Sequence, residues 1–245
     1  MVRRGIEGRP AEVSISEPPT LAALNARVVA CERCPRLRSY CEAIALEKRR
    51  AYRHEAYWGK PVPSFGDPEA RVLLLGLAPG AHGSNRTGRP FTGDGSGAFL
   101  YPLLYEAGFA SQPVATARGD GMELRGAVIT SVVRCAPPEN KPSAEEQAHC
   151  APWLDEELAL LRQLRVVLAL GKIAFDGYTG WLRRTGRIER RSAFVFSHGA
   201  EYRLAGGGYL LGTYHPSLQN TNTGRLTAPM LLRMLVRARE LAGLE

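Results

Sequence analysis

In Arg71-Val-Leu-Leu-Leu-Gly-Leu77 everything after the arginine is an unbroken apolar run, entered from the turn Gly66-Asp-Pro-Glu69. It is left through Ala78-Pro-Gly-Ala-His-Gly-Ser-Asn-Arg-Thr-Gly-Arg-Pro-Phe-Thr-Gly-Asp-Gly-Ser-Gly97. A run this short, apolar at every position and bounded by turn residues, reads as a strand buried on both faces. Three further stretches read the same way: Ala127–Val133, Val166–Leu170 and Tyr209–Tyr214. Between them the apolar spacing turns helical, over Ala98–Ala107, Ala144–Leu164, Lys172–Tyr178 and Pro229–Leu241, with Ser143 and Glu146 forming a capping box at the second of these. Buried strands alternating with helices predict an α/β fold, a parallel sheet covered on both sides. In such folds ligands bind where the carboxyl ends of strands open into loops. The unusual loops all lie there: Ala78–Gly97, Arg134–Pro142 and His215–Thr227.

With 245 residues, 44% of them hydrophobic, the chain can bury one sizeable core. Residues 1–20 are expected to be a loosely ordered extension and 21–245 a single domain, with monomer as the default. No apolar stretch is long enough for a membrane span, and Met1–Arg4 lead into Gly, Glu and Pro rather than a signal core. The expectation is a cytoplasmic protein without a membrane partner. The net charge of +8 and pI near 9.5 favour a polyanionic partner at encounter, though they say nothing of chemistry.

The glycine-rich loop lets backbone approach a ligand closely. It matches neither the phosphate loop ending in Gly-Lys-Ser/Thr nor the dinucleotide fingerprint. His215, at a strand end, is placed to donate to developing negative charge. Five cysteines do not make a complete disulfide framework. Cys31 and Cys34, two residues apart at the end of a helix starting at Leu21, could share one metal centre with Cys135 and Cys150. Zinc and a 4Fe-4S cluster both accept four thiolates, and spacing does not choose between them. Cys41 stands apart and reads as a core cysteine.

Four blocks in order, Gly-Leu-Ala-Pro-Gly-Ala-His-Gly at 76–83, Arg-Pro-Phe-Thr-Gly-Asp at 89–94, Val-Arg-Cys-Ala-Pro-Pro-Glu-Asn-Lys-Pro at 133–142 and His-Pro-Ser-Leu-Gln-Asn at 215–220, resemble the family 5 (type b) iron-sulfur uracil-DNA glycosylases. The resemblance runs from Cys31 to about Met230. It implies a three-layer α/β/α uracil-DNA glycosylase fold with a central four-stranded parallel sheet, and a structural 4Fe-4S cluster on Cys31, Cys34, Cys135 and Cys150. It also implies a DNA-repair hydrolase that flips out a deaminated base and cuts its N-glycosidic bond to initiate base excision repair. The implied partner is DNA containing deaminated bases; any further replication or repair partner is left open.

Catalysis then falls to His215, with Asp94 or Asn140 positioning water. Gly76, Ala78, Pro79, Gly80, Phe91 and Ser131 are expected around the base, with Phe91 as its stacking surface. Arg89, Ser217, Leu218, Gln219 and Asn220 are expected to touch DNA, Leu218 or Gln219 filling the space of the extruded base. Arg86 and Arg225 are further candidates for phosphates. Two departures from relatives matter. Leu77 stands where related glycosylases carry an acidic or polar residue, and Ser131 where family 4 has an asparagine that reads uracil. Fewer fixed edge contacts predict breadth, with hypoxanthine accepted as well as uracil and xanthine as the further candidate. The competing reading is a non-catalytic, zinc-stabilised nucleic-acid-binding module; an electron-transfer protein ranks last.

Overall fold

The computed structural model describes residues 19–244, so all but the last two residues of the extension assigned to 1–20 lie outside the described residues. Thr20 caps α1 (Leu21–Val29) by accepting from the Ala23 amide, and Cys34 opens α2 (Pro35–Glu47), where Pro35 costs nothing because a first-turn N–H has no helical partner. The chain then runs through β1 (Phe65–Gly66), β2 (Val72–Gly76), the short α3 (Ser84–Thr87), α4 (Gly95–Glu106), β3 (Ala127–Ser131), α5 (Ala144–Leu160), β4 (Val166–Leu170) and α6 (Lys172–Arg184). It ends with β5 (Ala200–Arg203), β6 (Tyr209–Thr213), α7 (Leu218–Asn222) and α8 (Ala228–Ala242). The predicted capping box at Ser143 and Glu146 is formed.

The sheet order is β1-β3-β2-β4-β6-β5. The expected four parallel strands form its centre, but the sheet has six strands among the described residues: β1 and β5 add to the edges in antiparallel sense. Sequence reading passes over both for a physical reason. β1 is two residues long and β5 alternates half-buried with exposed positions, so neither shows the continuous apolar signature of a central strand. Each of β2, β3 and β4 is buried at every position.

Alternate residues of the central strands feed two cores. Leu73, Leu75, Val128, Val167, Ala169 and Leu210 pack with residues of α1, α2, α5 and α6. Val72, Leu74, Ile129, Leu168, Leu170 and Leu211 pack with residues of α4 and α8. The result is the expected three-layer α/β/α arrangement. Its parallel strands all end at one edge, at Gly76, Ser131, Leu170 and Thr213, which is where the candidate site opens.

Candidate active site

The cleft at the strand ends is lined by the loop after β2 (Leu77, Ala78, Gly80, His82, Gly83), by Phe91 and Asp94, by Ser131, by Glu139-Asn140-Lys141, and by His215, Ser217, Leu218 and Gln219. Three loops, those after β2, β3 and β6, thus converge. Ser131 pairs in register with Gly76, and the Phe91 ring lies over Gly76, where an added Cβ would come within 3.1 Å of it. The Phe91 backbone is left-handed, φ +50°, an unfavourable conformation for an aromatic residue. Gly97 helps make room for it, because a Cβ there would meet the Phe91 carbonyl oxygen at 1.8 Å.

The Phe91 and His215 rings are 5.7 Å apart and tilted by 33°. Burial pushes the His215 imidazole down to about 4, so it is neutral at physiological pH. Its ring has no hydrogen-bond partner among the described residues, while Asn220 Nδ2 donates to its backbone carbonyl at 2.8 Å. A neutral imidazole held from behind with its ring free is a donor awaiting an acceptor.

Asp94 both caps a helix and lines the cleft. Its Oδ1 accepts the amides of Ser96 and Gly97 at 3.0 and 3.1 Å, capping α4. Its Oδ2 lies against Gly80 and Gly83; a Cβ on Gly83 would fall 2.0 Å from it. Burial raises the Asp94 pKa, opposed by the two amide bonds and by the Arg86 charge. Asn140 stands exposed at the mouth in left-handed conformation, φ +57°.

The structure brings most of the expected residues together and reassigns several. Pro79 is buried behind the cleft wall and does not line it. Asn220 supports the His215 backbone, and Ser217 caps α7 by accepting from the Asn220 amide. Leu218, 55% exposed, and Gln219 project at the rim, with Leu218 lying over Gly95. Arg89 is not a phosphate-gripping group. It is 3% exposed and reaches both Asp120 carboxylate oxygens at 2.7 and 2.6 Å, with Nε on Thr92 Oγ1 at 3.0 Å. Arg86 is likewise buried, paired with Glu55 and donating to Gly93 O at 2.6 Å. Both arginines shape the loop from within, and charge in a sequence does not reveal on which side of a loop it lies. Arg225 is exposed over the Tyr214 ring at 4.6 Å. Arg89→Ala therefore costs about 3 kcal/mol in urea unfolding by leaving Asp120 unpaired, with no change in the salt slope of DNA binding.

His82, Glu139 and Lys141 line the cleft without having been singled out from sequence. His82 could have been found by the same reasoning that selected its neighbours, since it lies in the glycine-rich loop.

Beneath the same edge, Cys31, Cys34, Cys135 and Cys150 line one small cavity of about 20 Å³ with Arg38, Arg134 and Trp153. All are free thiols. Trp153 Nε1 donates to Cys31 Sγ at 3.4 Å and the Arg134 amide to Cys150 Sγ at 3.3 Å. Arg134 pairs with buried Glu157, yet its Nε and Nη1, like Glu157 Oε1, are buried without a hydrogen-bond partner among the described residues. Unpartnered guanidinium nitrogens beside four soft donors suit an anionic sulfur-ligated group. No group of three His, Cys, Asp or Glu among the described residues is arranged to hold a single metal ion. Cys41 is buried with its thiol directed at Ala136 O at 3.6 Å, but it does not stand apart as expected: its side chain is in hydrogen-bond contact with that of Cys135, one of the four.

Comparison with known proteins agrees with this geometry. The family model for the uracil DNA glycosylase superfamily matches residues 63–238. The chain is 56% identical to a type-5 uracil-DNA glycosylase of Thermus thermophilus, covering 89% of this chain and 96% of that protein. It is 46% identical to a type-5 uracil-DNA glycosylase of Pyrobaculum aerophilum, covering 89% and 91%. A type-4 enzyme of the same organism is 31% identical over 80% and 83% of the two chains. With sheet, cleft and sequence in agreement over most of its length, this chain belongs to the uracil DNA glycosylase superfamily.

Proposed function

We propose that the protein excises uracil, and with it hypoxanthine and xanthine, from DNA, leaving an abasic site that opens base excision repair. The observation that carries the reading is His215: a neutral imidazole, free at both ring nitrogens, at the edge of an aromatic platform and in the same cleft as a carboxylate.

Cleaving a glycosidic bond builds positive charge on the sugar and negative charge on the departing base. A base rotated out of the helix stacks on Phe91 above Gly76. His215 donates an N–H to its carbonyl oxygen as negative charge grows there, a contact stronger in the transition state than before it. Asp94 faces the sugar with Oδ2 and stabilises the cationic centre, Oδ1 being committed to the α4 amides. Water then adds to the sugar carbon. Leu218 and Gln219, at the rim, fill the gap left in the duplex. Ser131 is a short side chain where a longer one would fix one base edge, so the floor has room for purines.

Cys31, Cys34, Cys135 and Cys150 would hold a 4Fe-4S cluster, which when bound fastens the α1–α2 junction to the loop after β3 and to α5. The zinc-module alternative is disfavoured by the catalytic cleft and by the absence of a single-ion ligand set among the described residues.

Duplexes carrying uracil, hypoxanthine or xanthine, incubated with the protein and then treated with alkali, are expected to break at the damaged position, and thymine controls to stay intact. Absence of breaks on all three overturns the reading. Asp94→Ala is expected to lose about 10- to 100-fold in single-turnover excision, and Asn140→Ala much less, because Asn140 stands at the exposed mouth.

A further inference from the structure

His82 lines the cleft, and the proposed reaction leaves it unused. Its Nδ1 lies 3.0 Å from the Tyr57 hydroxyl, the two rings meeting edge-on at 81°. The Tyr57 oxygen accepts the Arg49 amide at 3.2 Å, which leaves its O–H to donate. The arrangement that also uses the Tyr57 O–H makes Nδ1 the acceptor and puts the proton of the neutral ring on Nε2. The neutral form is favoured, since burial and the charges of Arg49 and Arg86 lower the His82 pKa. Arg86 Nε fixes the backbone by donating to the His82 carbonyl at 2.8 Å. The chain of donors ends in one oriented N–H.

Its acceptor follows from its place. His82 adjoins Gly83, which abuts the Asp94 carboxylate, whereas the base floor is made by Gly76, Phe91 and Ser131. Both Arg49 and Arg86 act on the ring electrostatically; Arg86 is charge-paired with Glu55, whereas Arg49 has no ion-pair partner among the described residues, so this wall offers one unmatched cation suited to an anion. We propose that the Tyr57–His82 pair is a phosphate subsite, in which His82 Nε2–H donates to a phosphodiester oxygen flanking the extruded nucleotide. This rests on the glycosylase reading, through the assignment of Asp94 to the sugar.

The test measures Kd by fluorescence anisotropy for a duplex bearing a tetrahydrofuran abasic analogue, beside single-turnover uracil excision at saturating enzyme. His82→Ala is expected to raise Kd about 10- to 100-fold, the worth of one hydrogen bond to a charged acceptor, and to lower the saturating rate by less. His82→Gln recovers part of the affinity, and Tyr57→Phe falls between. Nitrogen-15 NMR of the wild type at pH 7.5 should show His82 protonated on Nε2, with the preference lost in Tyr57→Phe. An unchanged Kd in His82→Ala, a rate loss exceeding the affinity loss, or a proton on Nδ1 would overturn the subsite. Wild-type protein that cuts no damaged duplex sinks the glycosylase reading instead, and the abasic-duplex affinities still judge His82.

Discussion

His215→Ala is expected to lower single-turnover excision of uracil by about 10²- to 10³-fold while the protein stays folded, because the site loses a donor aimed at developing negative charge. The imidazole has no hydrogen-bond partner among the described residues, so its removal leaves none of them with an unsatisfied buried group. A rate within threefold of wild type would show that the departing base is stabilised by something else. The pH dependence sharpens the test. The folded imidazole titrates at about 4 and the unfolded one at 6.5. Between those values only the unfolded state binds the proton, so wild-type stability falls as pH drops from 6.5 to 4, by about 3 kcal/mol in total. His215→Ala lacks this slope, which denaturant unfolding at pH 7 and pH 4.5 will read. Asp94 acts in the opposite sense: its pKa is raised on folding, so it disfavours the folded state once pH exceeds the carboxylate range. The saturating rate should accordingly show no inflection near pH 6.5 from His215, the neutral donor persisting well below it.

Much of the architecture is legible in sequence because buried parallel strands have a local signature, a short and predominantly apolar run. β2, β3, β4 and β6 declare themselves this way, and the loops that follow β2, β3 and β6 supply the cleft. Helix lengths are less legible. α6 runs to Arg184, beyond the expected Tyr178, since its later turns are fixed by Trp181 and Leu182 packing into the core rather than by local propensity. Direction is the hardest property to read. Arg89 and Asn220 occupy the right loops, but one turns inward to Asp120 and the other to the His215 carbonyl. Tyr57 approaches His82 from a segment 25 residues away, a partnership no spacing rule encodes.

Glu157→Ala is expected to cost about 3–5 kcal/mol in urea unfolding and to lower the iron content of the purified protein. Glu157 and Arg134 are both buried, and the pair lies between the α5 core and the four-cysteine cavity. Removing the carboxylate strands the Arg134 cation, whose Nε and Nη1 already lack hydrogen-bond partners among the described residues. A cluster with four thiolates carries net negative charge, so in the proposed holo-protein Arg134 is held between two anionic groups. The stability cost should then be larger in protein stripped of iron than in protein that retains it. Cys150→Ala supplies the complementary arm: it removes a proposed ligand and the acceptor of the Arg134 amide, leaving Glu157 paired. It is expected to abolish the absorbance near 400 nm typical of iron-sulfur charge transfer, which Glu157→Ala only reduces. A colourless, iron-free wild type would remove the cluster from this account and leave the cost of Glu157→Ala standing on the buried ion pair alone.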